Sequence, residues 1–131
     1  MNQEQTAALV LLAHGSRDPR WAQPLAALQE ELRRQDPSLQ IELAFLELQP
    51  PGLAQVLESL AGEGARRIQV APVFWSMGGH ATRDLPAVVQ AFRQQHPEVA
   101  VTVLPVLAEL PHMNEFLVGA LLAAGNDRVG E

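Results

Sequence analysis

The segment VAPVFWSMGGHATRDLP, residues 70–86, contains the change of pattern that decides the fold. An apolar run typical of a buried strand ends at an aromatic residue, a loop with a Gly-Gly pair follows, and an amphipathic pattern begins after His80. The stretch LVLLAHGSRDPR, residues 9–20, has the same order, with His14 directly after the apolar run. Two histidines thus follow predicted strands, and imidazole both binds metal ions and titrates near neutrality.

The same alternation of patterns extends along the rest of the chain. The apolar runs are rich in Val, Ile and Leu, as buried parallel strands are. They span Ala7–Ala13, Leu39–Phe45, Arg67–Val73 and Val99–Leu104. The predicted helices span Trp21–Gln35, Pro51–Gly62, Thr82–Gln95 and His112–Ala124. This order predicts an α/β fold with a four-stranded parallel sheet and helices on both faces, and we expect residues 1–131 to form one domain.

Local signals define the packing and the ends of the predicted helices. The first helix carries one apolar stripe, formed by Trp21, Leu25, Leu28 and Leu32. We expect Trp21, like Phe92 in the third helix, to belong to the core. Thr82 is a predicted N-terminal cap of the third helix, and the Gly125-Asn126 pair is predicted to end the fourth.

The composition excludes several classes of function. The net charge is −6 and the isoelectric point is near 5.1, which argues against a nucleic-acid-binding protein. All nine basic residues are arginines, so Schiff-base chemistry on a lysine and a Walker-type phosphate loop are both ruled out. The chain has no cysteine, which excludes disulfides, zinc-thiolate sites and thiol nucleophiles.

The N-terminal sequence MNQEQTAALVLLAHGS lacks both the basic stretch of a signal peptide and the long apolar run of a membrane span. From this and the absence of cysteine we expect a cytoplasmic protein that has neither a membrane nor a nucleic acid as its partner.

Candidate functional residues cluster at one predicted edge of the sheet, because ligands bind at the carboxyl ends of parallel strands. His14 and His80 follow the first and third strands and are candidate metal ligands or general bases, although His14 could also merely cap its strand. Glu47 follows the second strand, where it could take up or relay protons or lie as an ordinary exposed acid. His112 follows the fourth strand and could border the site.

The loop before His80 has the composition of a small-molecule site. Trp75 and Met77 would form an apolar wall beside a polar reacting group. Arg17 and Arg83 follow the two histidine loops, where they could pair with substrate carboxylates or lie as solvated residues at helix starts.

His14-Gly15 also suggests a different enzyme class. Histidine phosphatases have an Arg-His-Gly motif at the end of a first strand, where the arginine binds the phosphoryl group that the histidine accepts. The residue before His14 is Ala13, so that clamp is absent. A phosphohydrolase therefore stays a weaker hypothesis.

Three stretches together resemble the CbiX/SirB-type small chelatases of class II. These stretches are LLAHGSRDP, AFLELQPP and VAPVFWSMGGHATRDLP, and the resemblance covers roughly residues 7–122. It implies a chelatase-like three-layer sandwich and a lyase that inserts Co²⁺ or Fe²⁺, with Ni²⁺ as a further candidate, into sirohydrochlorin in cobalamin or siroheme biosynthesis. It implies no cofactor beyond the substrate metal ion. Longer members contain two such units and short members form homodimers, so a homodimer is expected.

The resemblance also assigns roles to residues. His14 and His80 match the metal-binding and proton-accepting pair, and Glu47 matches the acidic residue after the second strand. The loop that lines the tetrapyrrole corresponds to Trp75, Ser76, Met77, Gly78, Gly79 and His80. Arg17 and Arg83 are candidates to meet the peripheral carboxylates, and His112 sits where some relatives carry a histidine. A non-catalytic carrier of metal or tetrapyrrole would show the same motifs and stays an alternative.

Overall fold

The computed structural model describes residues 6–129, apart from the side chains of Thr6, His80 and residues 127–129. The strands are β1 (Thr6–Ala13), β2 (Gln40–Phe45), β3 (Ala65–Pro72) and β4 (Ala100–Val103). The helices are α1 (Gln23–Gln35), α2 (Leu53–Gly62), α3 (Gly79–Gln95) and α4 (Met113–Val129). Two short 3₁₀ turns, Pro19–Ala22 and Leu107–Glu109, precede α1 and α4.

The four strands are parallel and lie in the order β2-β1-β3-β4. In the centre, Leu12 of β1 is paired with Ala44 of β2 on one side and with Pro72 of β3 on the other. The crossover from β1 leads outward to β2, while the crossover from β3 leads the opposite way to β4. The predicted α/β class and four-stranded parallel sheet are confirmed.

Two layers of helices cover the sheet unequally. One set of strand side chains, including Val10, Leu12 and Val70, is buried in the larger core beneath α2 and α3. The alternate set, including Leu11 and Ile41, forms a smaller core with Leu25 of α1. This division follows from the two-residue period of a strand, which sends successive side chains to opposite faces.

The fourth helix departs from the expected arrangement. Its predicted end at Ala124 is wrong, because α4 continues through the Gly125-Asn126 pair to Val129. Its main contact with another element is with the turn Leu107–Glu109, and no strand among the described residues makes a comparable contact with it. Within residues 6–129, the part of the sheet formed by β3 and β4 is therefore left without a helix on the α1 side. No helix in the described part of the chain has the length and apolarity needed to cross a membrane.

Two local predictions are also corrected. Thr82 does not cap α3 from outside, because the helix begins at Gly79 and the Thr82 hydroxyl donates to the Gly78 carbonyl at 2.8 Å within the first turn. Trp21 is 45% exposed in the 3₁₀ turn before α1 and does not belong to the core, whereas Phe92 is buried as expected. The predicted apolar stripe of α1 is thus only partly covered.

Candidate active site at the carboxyl edge of the sheet

His14 lies at the point where the strand connections diverge. It follows β1 directly. From β1 the chain continues to β2 on one side of the sheet centre, whereas from the neighbouring strand β3 it continues to β4 on the other side. Such a switch point forms the crevice in which open α/β sheets bind ligands. The sequence-predicted position of His14 at this edge is therefore a position suited to function.

The ring of His14 packs against a residue of the loop that follows the neighbouring strand β3. Its centroid lies 4.6 Å from that of Phe74, and the two planes are inclined by 36°. Phe74 is itself buried, and Val73 extends the pairing of the strands by donating its N–H to the Leu12 carbonyl at 2.7 Å. The imidazole remains exposed, so its nitrogen atoms are accessible to a ligand.

Glu47 is brought beside His14 by the backbone. The N–H of Glu47 donates to the His14 carbonyl at 3.0 Å, and the N–H of Leu46 donates to the Ala13 carbonyl at 2.9 Å. The pairing between β1 and β2 thus continues into their loops and joins the backbones of two exposed residues, Glu47 and His14. The expectation that Glu47 shares the edge with His14 agrees with this geometry.

This approach of the two loops depends on Gly15. Its φ is +105°, and a Cβ built on it would lie 1.8 Å from the Glu47 carbonyl oxygen. The next residue, Ser16, donates its N–H to the Gln49 side-chain oxygen at 2.7 Å. Glycine at position 15 is therefore required for the close contact between the His14 and Glu47 loops.

A salt bridge organises the segment that follows. Asp18 accepts hydrogen bonds from the backbone N–H of Arg20 at 2.9 Å and from its guanidinium at 2.9 and 3.1 Å. The guanidinium, followed by the backbone N–H, lowers the pKa of Asp18 below its ordinary value. Arg20 is thereby occupied, whereas Arg17 is exposed and makes no ion pair with the described residues.

The loop between β3 and α3 forms the other side of the crevice. The backbone N–H groups of Leu107 and Ala108 each donate at 3.1 Å, to the carbonyls of Phe74 and Trp75 respectively. Because its backbone is held in this way, Trp75 can present a 56% exposed indole at the edge of the sheet. Met77 is also exposed, so an apolar surface stands beside the polar groups of the β1 and β2 loops.

The Gly-Gly pair provides room at the start of α3. Gly78 has an ordinary extended backbone with φ −87°. A Cβ added to either Gly78 or Gly79 would meet no atom within 4 Å beyond its own chain neighbours. Ser76 lies with these glycines in the exposed loop, and Arg83 is exposed in the first turns of α3. These predicted substrate-binding residues lie on one continuous segment.

The backbone of His80 lies in the first turn of α3, at the same edge as His14. Its side chain lies outside the described residues. Among the side chains that are described, no group of three His, Asp or Glu residues could hold a metal ion. His14 and Glu47 are thus the predicted ligands and proton acceptors that the structure describes in full.

His112 has a local role at the start of α4. It has a left-handed φ of +65°, and its Nδ1 lies 2.8 Å from Glu115 Oε1. The side chain is exposed and points to α4 rather than contacting another candidate residue among those described.

Sequence reasoning missed one acidic residue at this edge. Glu109 borders a cavity of about 400 Å³ together with Ser76 and Met77 of the β3–α3 loop. The sequence signal is weak, because the turn Leu107–Glu109 carries no motif and is joined to the loop by backbone hydrogen bonds from Leu107 and Ala108. The sequence pattern likewise marks Phe74, the packing partner of His14, only as the aromatic residue at which an apolar run ends.

A sequence model of the CbiX family matches residues 8–123 of the chain. The chain belongs to the CbiX family. Its curated relatives include a sirohydrochlorin cobaltochelatase of Methanocaldococcus jannaschii, 35% identical over 68% of this chain and 62% of that protein. Another sirohydrochlorin cobaltochelatase, from Saccharolobus solfataricus, is 30% identical over 84% of this chain and 89% of that protein. The chain matches about three fifths of the length of the first of these relatives.

Solved structures share the fold. A putative cobalamin biosynthesis CbiX protein from Marinobacter aquaeolei has a TM-score of 0.77 and 24% identity, with 93% of this chain and 98% of that chain covered. The sirohydrochlorin chelatase SirB from Bacillus subtilis, solved in complex with cobalt, has a TM-score of 0.67 and 27% identity. The match covers 77% of this CbiX-family chain but 44% of the SirB chain.

Proposed function

We propose that this CbiX-family protein is a chelatase that inserts Co²⁺ or Fe²⁺ into sirohydrochlorin. The observation that carries the proposal is the exposed His14 imidazole at the divergence of β1 and β3, in a loop whose backbone is hydrogen-bonded to that of the exposed residue Glu47. The names of its relatives, sirohydrochlorin cobaltochelatase, support the reaction class. The metal ion is a substrate of this reaction rather than a resident cofactor.

Metal insertion requires both ligand exchange and proton removal. One divalent ion enters the macrocycle and two pyrrole N–H protons leave, so the net charge is conserved. His14 supplies a nitrogen that binds borderline cations such as Co²⁺ and Fe²⁺ and also accepts a proton. In this proposal His80 is the second ligand and base, and Glu47 attracts the cation and relays protons away from the edge.

The tetrapyrrole would lie against the β3–α3 loop. The exposed indole of Trp75 and the side chain of Met77 offer an apolar surface for one face of the macrocycle. The exposed guanidinium groups of Arg17 and Arg83 are available to the peripheral carboxylates. Gly78 and Gly79 leave open space next to the loop for the edge of the ring.

We also propose that two copies of the chain act together. We propose the cytoplasm as their location, because a chain without cysteine fits a reducing compartment in which disulfides are rare. The support for pairing is the match with SirB, which occupies 44% of that chain and leaves length for a second unit. By this proposal, residues 1–131 form one unit of a homodimer.

The test is an anaerobic insertion assay that follows the absorbance of sirohydrochlorin with Co²⁺, Fe²⁺ or Ni²⁺. We expect many turnovers per protein and a rate above that of the protein-free mixture with at least one metal. Stoichiometric binding without turnover would favour the carrier, and release of phosphate from phosphomonoesters would favour the phosphohydrolase. No acceleration with any of the three ions would refute the proposal.

Replacing Trp75 with alanine is expected to weaken sirohydrochlorin binding about tenfold, because about 1.4 kcal/mol of stacking and apolar contact is lost. Trp75→Phe should restore most of the affinity, since it keeps an aromatic face. A titration of the tetrapyrrole absorbance measures both constants. Equal affinity for the alanine variant and the unsubstituted protein would remove Trp75 from the binding surface.

A further inference from the structure

His14 differs from His96 in what holds its imidazole ring. His96 follows the far end of α3, and its Nε2 lies 2.9 Å from Glu58 Oε1 and its Nδ1 3.5 Å from Glu98 Oε2. A histidine that binds a metal ion usually has its second nitrogen held by such a carboxylate or by a carbonyl. Among the described side chains none is hydrogen-bonded to the His14 ring, which contacts the ring of Phe74 instead.

The contact between His14 and Phe74 continues the pairing of the two central strands. Leu12 of β1 is paired with Pro72 of β3, and both side chains are buried. His14 and Phe74 lie two residues further along the chain from this pair, and side chains two residues apart in an extended strand share one face. The register of β1 and β3 therefore brings the two rings to the same place, one row beyond the last pair of strand residues.

Phe74 is itself firmly held. Its side chain is 8% exposed and belongs to the larger core. The N–H of Val73 donates to the Leu12 carbonyl at 2.7 Å, and the Phe74 carbonyl accepts from the Leu107 N–H at 3.1 Å. The backbone is thus fixed on both sides of the sheet edge, so the exposed His14 ring packs at 4.6 Å on a ring that has little freedom to move.

We propose that Phe74 is a positioning residue, whose ring holds the His14 imidazole in the orientation in which it binds the metal ion and accepts a pyrrole proton. The inference rests on the proposed function and adds to it a buried residue that acts only through His14. An exposed imidazole without a fixed partner would sample several staggered rotamers. Displacement of a reacting group by about 1 Å can lower a rate by up to about 100-fold.

Phe74→Leu is the test variant, and the chain offers a matched control in Phe92→Leu. Phe92 is buried in the same core, and its ring contacts that of His96 at the same centroid distance of 4.6 Å. Each variant removes one buried aromatic ring and keeps an apolar side chain, so a thermal melt should show a similar fall in Tm for both. Only Phe74→Leu should affect His14.

NMR couplings between Hα and Hβ of histidine report the χ1 rotamer of His14 in the metal-free protein. The chain has only four histidines, and the signals lost in a His14→Gln variant identify those of His14. We expect one χ1 rotamer in the unsubstituted protein and in Phe92→Leu, and an average of several rotamers in Phe74→Leu. This readout does not depend on metal insertion.

Metal insertion and metal binding give the functional readouts. In Phe74→Leu we expect kcat to fall about tenfold with the KM for sirohydrochlorin unchanged, because the exposed surface that faces the tetrapyrrole is not altered. The affinity for Co²⁺ alone, measured by calorimetry, should also fall about tenfold, as it does when other groups that orient a metal-binding histidine are removed. Phe92→Leu should leave both values at those of the unsubstituted protein.

The outcomes separate this inference from the proposed function. A single His14 rotamer in Phe74→Leu would overturn the inference, and so would an unchanged kcat in an active enzyme. If the unsubstituted protein binds Co²⁺ through His14 but inserts no metal, the proposed chelatase is refuted, and the Co²⁺ affinity of Phe74→Leu then decides the role of Phe74. If His14 neither binds Co²⁺ nor supports insertion, both proposals are wrong.

Discussion

Replacing His14 with alanine is expected to lower the rate of metal insertion at least about 100-fold, because removal of a positioned base or ligand costs about that much or more. The fold should survive, since the imidazole is exposed and the ring contact with Phe74 is its one described side-chain contact. Initial rates in the anaerobic assay and a thermal melt check the two parts of this prediction.

The control for His14 is a histidine at the opposite end of α3. His96 stacks on Phe92 with a centroid distance of 4.6 Å, and its Nε2 lies 2.9 Å from Glu58 Oε1. His96→Gln should therefore leave the insertion rate unchanged. His80→Ala should reproduce the loss seen with His14→Ala. If the His14→Ala and His80→Ala variants both insert metal as fast as the unsubstituted protein, the assigned roles are wrong.

The strands and the edge that carries the site could be predicted from local sequence patterns. The apolar runs that became β1 and β3 are continuous because both faces of a central parallel strand are buried. Once the fold is parallel, residues directly after each strand must share one edge. His14 and Glu47 could thus be placed together without knowledge of any tertiary contact.

The position of α4 could not be predicted in this way. The sequence predicts a helix over His112–Ala124, but FLVGALLAA has no polar face that would indicate which side of the helix meets the sheet. The Gly125-Asn126 pair failed as a stop signal, because a glycine ends a helix when it adopts a left-handed backbone and is otherwise tolerated within one. Trp21 in the turn before α1 and Leu28 in α1 are likewise exposed, although their apolar character and spacing predicted a buried stripe.

Contacts between loops could not be predicted from the sequence patterns either, because they join residues that are far apart in the chain. The packing of His14 on Phe74 joins residues 60 positions apart, and Glu109 reaches the site through another turn. No local periodicity records such contacts. Gly15 directly follows His14 in the sequence, but its contact with Glu47 depends on how β1 and β2 are paired.

Gly15→Ala is expected to destabilise the protein by about 3 kcal/mol or more and to lower the insertion rate. A methyl group at this position would lie 1.8 Å from the Glu47 carbonyl oxygen, so the His14 and Glu47 loops must separate. The left-handed φ of +105° adds a cost of about 1–2 kcal/mol for a residue with a Cβ. For a chain of 131 residues, the total corresponds to a fall in Tm of about 10 °C.

Gly64→Ala separates the two contributions to this effect. Gly64 has nearly the same φ, +103°, but open space where the methyl group would lie. Its substitution should therefore cost only the backbone term and leave the insertion rate unchanged, because it lies in the turn before β3, away from the site. If Gly15→Ala and Gly64→Ala lower the free energy of unfolding equally, the steric contact between a methyl group at position 15 and the Glu47 carbonyl does not contribute to the loss of stability. A larger loss at Gly15, accompanied by a slower insertion rate, would show that the spacing of the two loops sets the geometry of the His14 and Glu47 side chains.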